Sequence, residues 1–433
     1  MTNNMTLYET LISYCSSDAY PFHMPGHKRR VAAFCDPSAS FCDPSNRDPF
    51  YIDLTEIDGF DNLHHAEGIL KEAQQRAAAL YKSQETHFLV NGSTAGVLSA
   101  IGACTRPGDC ILMARNSHRS AYNAAALNRL QTAYLYPGQY HPRQEPALIF
   151  RGHANAAAGR MPDTPPELSA NDLNGAIEPA QVEEALRRHP DARALFLTSP
   201  TYDGVVSDIA QIARIAHRQG IPLIVDEAHG AHFGMHPIFP QSAIEAGADL
   251  VIHSLHKTLP ALTQCALIHV NGPLVDRARL RRLLGVYQTS SPSYVLMASI
   301  DQCIHQLTLH KKDWFEAYAL RLSRFYRETK LTGFSFLHTD DPSRILISPG
   351  ARSNLSAMQL HEFLRERFHL QSEMVTPSYV LMLSSVCDDD EGFARLSSAL
   401  LTLDQESRRP KQGASSLSAT HFRSGSQPPC NGT

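Results

Sequence analysis

From residue 51 to about 290, short β-branched or aliphatic runs alternate with amphipathic stretches, and no other feature of the chain narrows its fold so far. The alternation builds a mostly parallel sheet covered by helices, because each apolar run needs burial on both faces and each amphipathic stretch supplies a cover. The spacing predicts a helix over 67–82, where Ile69, Leu70, Ala73, Ala77, Leu80 and Tyr81 share one face and Lys71, Gln74, Gln75 and Lys82 lie elsewhere. Strands are expected at 86–90, 110–114, 194–198, 222–228 and 249–254, with helices at 94–104, 118–130, 179–188 and 207–219. In such a sheet, reactive groups collect where strands end and loops begin.

The remaining segments divide around this block. Residues 1–50, with little periodicity and many Pro, Asp and Ser, read as an N-terminal arm, and 51–304 as a large domain. Within it, 138–173 lacks sustained periodicity and is expected to be a mobile surface insertion. Residues 305–404, including RILIS and VLMLS, read as a smaller α/β domain, and Ser-rich 405–433 as a disordered tail.

Charge and composition exclude several partners. The 39 Lys and Arg against 43 Asp and Glu leave a net charge of −4, which argues against a nucleic-acid or anionic-membrane surface. The longest uncharged windows, 86–105 and 283–300, are interrupted by Asn91–Thr94 and Gln288–Ser293, too polar for hydrocarbon. The first residues carry Glu9 and Asp18 and no basic region, so no secretory signal is read and a cytoplasmic location is expected. Nine cysteines, odd in number and never spaced CxxC, favour free thiols in a reducing compartment.

Four segments carry chemistry. In Ser254-Leu255-His256-Lys257-Thr258, a lysine follows a buried strand, where burial disfavours the ammonium and frees the amine that a Schiff base to an aldehyde requires; the plainer reading is a surface lysine opening a loop. In PLIVDEAHGAHFG an apolar strand runs into Asp226-Glu227-Ala228-His229; a buried carboxylate is costly unless it faces a positive group, such as a protonated pyridine nitrogen. A helix cap or a buried salt bridge would also explain Asp226. A metal set of Asp226, His229 and His232 is the weaker reading, since its three-residue steps assume a helix that Gly230 spoils. FLVNGSTAG (88–96) sets Asn91-Gly92-Ser93-Thr94 before an apolar helix, either a phosphate cup or a simple N-cap. In ARNSHRS, His118 follows a strand and could stack on a flat ring or be an ordinary surface or core histidine. Cup, ring partner, acid and lysine, in that order and each at a strand end, together describe a pyridoxal-phosphate pocket.

The segments PFHMPGHKRR (21–30), DLTEIDGFDNLHHAEGILKEAQ (53–74), FLVNGSTAG, SPTYDGVVSDI (199–209), VDEAHGAHFG (225–234), HSLHKTLPALTQ (253–264) and YQTSSPSYVLMASID (287–301) resemble the Orn/Lys/Arg decarboxylases. The resemblance spans residues 20 to about 301 well and 340–400 loosely. It implies an α/β fold of the PLP-dependent transferase type (fold type I), with a mostly parallel sheet in the large domain and a smaller α/β C-terminal domain. It also implies decarboxylation of lysine, arginine or ornithine to the amine and CO2, a place in polyamine biosynthesis, and a homodimer or higher homo-oligomer.

By the same resemblance Lys257 is the Schiff-base lysine, Asp226 the partner of the ring nitrogen and His118 the residue on the ring face. Ser93, Thr94, Ser254 and His256 would hold the phosphate, Ala228 would pack under the ring, and His229 would lie near its phenolic oxygen or, like Lys257, donate a proton to the substrate carbon. Ser199 stands where related aminotransferases often keep Asn. His23, His27 and Lys28 resemble a segment near the active-site entrance, the plainer reading being an ordered arm across a partner subunit, and His64 and His65 lie inside a family motif, so no metal is expected. Two departures are a long 138–173 insertion and a C-terminal domain expected to be truncated. Rival readings are a PLP-dependent aminotransferase or other lyase, a noncatalytic decarboxylase-like binding protein, and a metal hydrolase.

Overall fold

A computed structural model describes residues 5–17, 49–138, 140, 173–350 and 355–408. The segment 21–30, all of 138–173 except residues 138, 140 and 173, and the tail beyond 408 lie outside the described residues.

Seven strands form the central sheet: β1 (Glu85–Leu89), β2 (Cys110–Ala114), β3 (Gln131–Leu135), β4 (Ala192–Thr198), β5 (Leu223–Asp226), β6 (Leu250–Ser254) and β7 (Ala266–Val270). Their order is β1-β7-β6-β5-β4-β2-β3. β3, β2, β4, β5 and β6 pair in parallel, and β7 runs antiparallel between β6 and β1. The sheet is therefore mostly parallel, as the alternation implies.

Strand periodicity sorts side chains into two cores. Ile111, Met113, Ala194, Phe196, Ile224, Leu250, Ile252 and Ile268 face one way, against the helices Gly92–Cys104, Arg119–Leu127 and Arg277–Tyr287. Their neighbours Leu112, Ala114, Leu195, Leu197, Leu223, Val225, Val251 and Leu267 face the other way, into a core shared with the helices Ile69–Tyr81, Ile209–Arg218 and Tyr294–Thr329. A side-chain period of two with both faces apolar gives continuous hydrophobic strands rather than alternating ones.

Two strands of this sheet fall outside the expected set. β3 is an edge strand whose residues, except Leu135, are exposed or half-buried, so its polar sequence carries little signal. β7 is entirely buried and follows the Lys257 turn closely. The expected strand 222–228 stops at Asp226, because Glu227 begins a turn closed by Gly230 N–H donating to Glu227 O at 2.8 Å.

A second sheet, ordered β10-β11-β9-β8, is built from β8 (Ser335–Leu337), β9 (Arg344–Ser348), β10 (Met374–Val375) and β11 (Val380–Leu383), all antiparallel. The helix Tyr294–Thr329, about 54 Å long at 1.5 Å per residue, buries Met297, Ile300 and Ile304 toward one end and Phe315, Leu322 and Phe325 toward the other. The expected join at 304/305 falls inside this helix. The helix Asp390–Arg408 continues four residues into the expected tail, with Asp404 accepting from Gly333 N–H at 2.7 Å.

Within the expected N-terminal arm, Leu7–Cys15 is a helix. A capping box between Thr6 and Glu9 starts it, and Leu7 and Leu11 are fully buried. Its position depends on Asp301, a fully buried carboxylate that accepts from Leu7 N–H at 2.8 Å and from both Arg76 Nη2 and Nε. Among the described residues, no helix is long and apolar enough to cross a membrane.

Asp301 thus joins three helices through one charge. Asp301→Asn should lower unfolding free energy by about 1–3 kcal/mol, because the Arg76 cation loses its counter-charge at a part-buried site. Urea denaturation checks this, and a change below about 0.5 kcal/mol would remove the assigned role.

Candidate active site

Five strands deliver side chains to one cavity of about 480 Å³ at their C-terminal ends. β1 leads into Asn91-Gly92-Ser93-Thr94, β2 into Asn116 and His118, and β4 ends in Thr198 before Tyr202. β5 ends on Asp226, followed by Ala228 and His229, and β6 ends on Ser254, followed by His256 and Lys257 in a single helical turn. Carbonyl ends of parallel strands carry no further pairing, so loops there are free to hold reactive groups.

The first turn of the helix Gly92–Cys104 presents backbone N–H groups at the cavity. Gly92 takes φ +72°, a left-handed conformation that a residue with a Cβ adopts only under strain. Ser254 Oγ donates to Ser93 Oγ at 3.0 Å, which ties the end of β6 to this turn. His118 caps the helix Arg119–Leu127, its Nδ1 accepting from Ser120 N–H and lying 2.9 Å from Ser120 Oγ; its exposed ring borders the cavity. His256 Nδ1 bonds to Cys265 O at 3.0 Å.

Asp226 is 5% exposed, and its one side-chain hydrogen bond among the described residues is from Ala228 N–H at 3.1 Å. Burial raises its pKa, against the opposing pull of the Lys257, His118 and His253 charges and the Ala228 amide. Lys257 is shifted down: burial disfavours its ammonium, and the nearby Arg344 cation adds to this while Asp226 and Glu373 oppose it. Lys257 Nζ lies 2.9 Å from His229 Nε2. Burial, Arg344 and Lys257 together push His229 well below the usual histidine range.

The nine residues singled out from sequence, Ser93, Thr94, His118, Asp226, Ala228, His229, Ser254, His256 and Lys257, all line this cavity. Asn116, Thr198, Tyr202, Thr263 and Gln264 line it too and were not singled out. Thr263 and Gln264 lie inside the HSLHKTLPALTQ segment, and Tyr202 inside SPTYDGVVSDI, so motif membership was the available signal. Asn116 lies inside ARNSHRS, two residues before His118, and Thr198 carried no signal beyond standing at a strand end. Asn116 Oδ1 and Thr198 Oγ1 are buried and unbonded among the described residues.

Other candidates separate. Ser199 Oγ accepts from Ser207 N–H at 3.1 Å and lies off the cavity. His232 turns away to pair with Asp341 at 3.1 Å, so Asp226, His229 and His232 do not converge as metal ligands. His64 Nε2 bonds to Thr289 O at 2.9 Å. Among the described residues, the one trio of potential ligand atoms within 4.8 Å is Cys110, His189 and Asp191. It sits at the opposite, N-terminal ends of β2 and β4.

A family model described as Orn/Lys/Arg decarboxylase, major domain, matches residues 5–143 and 168–323. YaaO of Bacillus subtilis (strain 168) is 40% identical over 300 residues, covering 69% of this chain and 55% of YaaO. An arginine decarboxylase of the same organism is 30% identical over 412 residues, covering 92% of this chain and 77% of the relative. The E. coli constitutive lysine decarboxylase structure superposes with a TM-score of 0.71 at 20% identity, covering 92% of this chain and 60% of that one. The chain thus spans little more than half the length of YaaO and of the E. coli protein, while sharing the latter's fold. The matched segments contain every cavity-lining residue, and the chain belongs to the Orn/Lys/Arg decarboxylase family.

Proposed function

We propose that the chain binds pyridoxal phosphate in the 480 Å³ cavity and decarboxylates a basic amino acid. Arginine is the first substrate to test, because relatives spanning 92% of this chain bear the name arginine decarboxylase. The observation that carries the reading is the pair Asp226 and Lys257: a buried carboxylate with no ion-pair partner among the described residues, lining the same cavity as a half-buried amine held below its usual pKa.

The donor set suits this cofactor. A helix N-terminus beside two serine hydroxyls suits a phosphate, with Ser93, Thr94, Ser254 and His256 as its holders. Asp226 suits the ring nitrogen, since a protonated ring would offset the cost of burying that charge. Lys257 suits the aldehyde carbon, His118 one face of the ring, Ala228 the other, and His229 the phenolic oxygen.

Bound there, pyridoxal phosphate supplies an electron sink for the bond broken beside the substrate amine. The chain's own part is electrostatic and positional. Asp226, itself buried, would fix a negative charge where a cationic ring is needed. Lys257 Nζ gives up its proton more readily than an exposed lysine, because burial disfavours its ammonium. The same Nζ can carry a proton to the substrate carbon, and His229 Nε2 at 2.9 Å can exchange it. The same reading makes the assembly at least a dimer, which light scattering on the pure protein checks.

Incubation with pyridoxal phosphate followed by borohydride should fix the label on Lys257, and Lys257→Ala should lose both the label and all CO2 release. Label elsewhere would defeat the assignment. Supplied with arginine, lysine or ornithine, the loaded protein should release CO2; a keto acid product would identify an aminotransferase, and tight cofactor binding without product a noncatalytic protein. Ser93→Asp, which puts an anion against the phosphate cup, should weaken pyridoxal phosphate binding about tenfold or more while affecting phosphate-free pyridoxal much less; equal losses for both, read by fluorescence titration, would remove the cup.

A further inference from the structure

Arg344 opens β9 of the second sheet, and its side chain is fully buried. It does not line the cavity, yet it touches a residue that does. Its Nη2 donates to His229 O at 2.9 Å and lies 3.3 Å from His229 Nδ1. Across the same ring, His229 Nε2 is 2.9 Å from Lys257 Nζ.

The donor and acceptor inventory leaves one consistent arrangement. A guanidinium donates only and keeps its charge in proteins, so Nδ1 must accept. A neutral imidazole that accepts at Nδ1 carries its proton on Nε2. That Nε2–H needs an acceptor, and an ammonium has none. Its partner is therefore the free amine.

We propose that Arg344 is a positioning residue: by holding His229 in the Nε2–H tautomer it keeps Lys257 as the free amine that captures an aldehyde. The inference rests on the function proposed above and adds to it a residue from the second sheet that prepares the lysine.

The surroundings hold Arg344 in place. Gly204, at φ +95°, leaves no room for a side chain, since a Cβ there would lie 2.8 Å from Arg344 Cγ. Asp341 Oδ2 is 3.6 Å from Arg344 Nε, and Asp341 is itself tied to His232 at 3.1 Å and Ser343 N–H at 3.0 Å. The Tyr202 ring packs on His229 with centroids 4.9 Å apart. The charged and titratable groups facing the pair are Asp226 and His118 from the large sheet, Arg344, Asp341 and Glu373 from the second, and Tyr202, whose phenol is pushed up to about 12 by burial and Glu373. Asp226 and Glu373 favour a charged Lys257, whereas burial and Arg344 oppose it, and the net direction is downward.

Two measurements test this. In full-length protein without cofactor, histidine side-chain 15N shifts, with His229 identified by its loss in His229→Gln, should show the Nε2–H tautomer at pH 7.5. An Nδ1–H tautomer or a doubly protonated ring would overturn the proposal. The second is the pH profile of pyridoxal phosphate capture, in which Nζ forms a C=N bond to the aldehyde carbon with release of water and borohydride reduces that bond to a stable amine. In Arg344→Met the midpoint should rise by about one pH unit, slowing capture at pH 7 about tenfold, whereas Arg344→Lys, which still only donates, should keep most of the wild-type profile. An unmoved midpoint in folded Arg344→Met overturns it. If that variant does not fold, the tautomer measurement on the wild type decides alone. Wild-type protein that never labels Lys257 defeats the function proposed above, and the tautomer reading still stands or falls by itself.

Discussion

Asp226 is buried and Lys257 half-buried where two adjacent parallel strands end, and the site is organised around making the desolvation of these two ionisable groups tolerable. Each alone would be expensive in a dry interior. Burial drives both toward their neutral forms, raising the acid and lowering the amine. Their mutual attraction resists this, and the balance still leaves the lysine shifted down and the acid shifted up. The helix N-terminus at Gly92 completes the field with partial positive charge on the cavity side.

The sheet turns this local arrangement into a fixed one. Because the strands before Asp226 and Ser254 are buried on both faces, their registers are pinned by two cores at once, and a one-residue slip would move every side chain to the wrong layer. Asp226 pairs in register with Thr198 of β4 and Ile252 of β6. Lys257 therefore arrives one short turn after a strand that cannot shift. The second sheet adds a further constraint through Arg344, which reaches back to His229 from more than a hundred residues downstream.

Much of this was legible in residue order. Apolar runs ending in Asp226, Ser254 and Asn91 marked strand ends, and the polar residues that follow them line one cavity. The helix Leu7–Cys15 was not legible, since nine residues are too few to show periodicity against a Pro- and Ser-rich background and its place depends on Asp301, nearly three hundred positions away. β3 was missed because an edge strand buries little and so carries little pattern. Arg344 was hidden inside RILIS, read as a strand for its apolar residues, and nothing local told a solvent-facing arginine from a buried one.

The sequence by itself determined the parallel α/β layering, the order of the Asn91–Thr94 turn, His118, Asp226 and Lys257, and their places after strand ends, because strand periodicity and burial are properties of neighbouring residues. Only the tertiary structure decided which distant groups tune them. Lys257 and His229 meet at 2.9 Å where β5 and β6 end side by side, and the donor-only guanidinium on the other side of that imidazole comes from packing a second sheet against the first. Proton positions follow from which partner can accept and which can only donate, and that is settled by what folding brings within hydrogen-bonding distance rather than by what stands next in the chain.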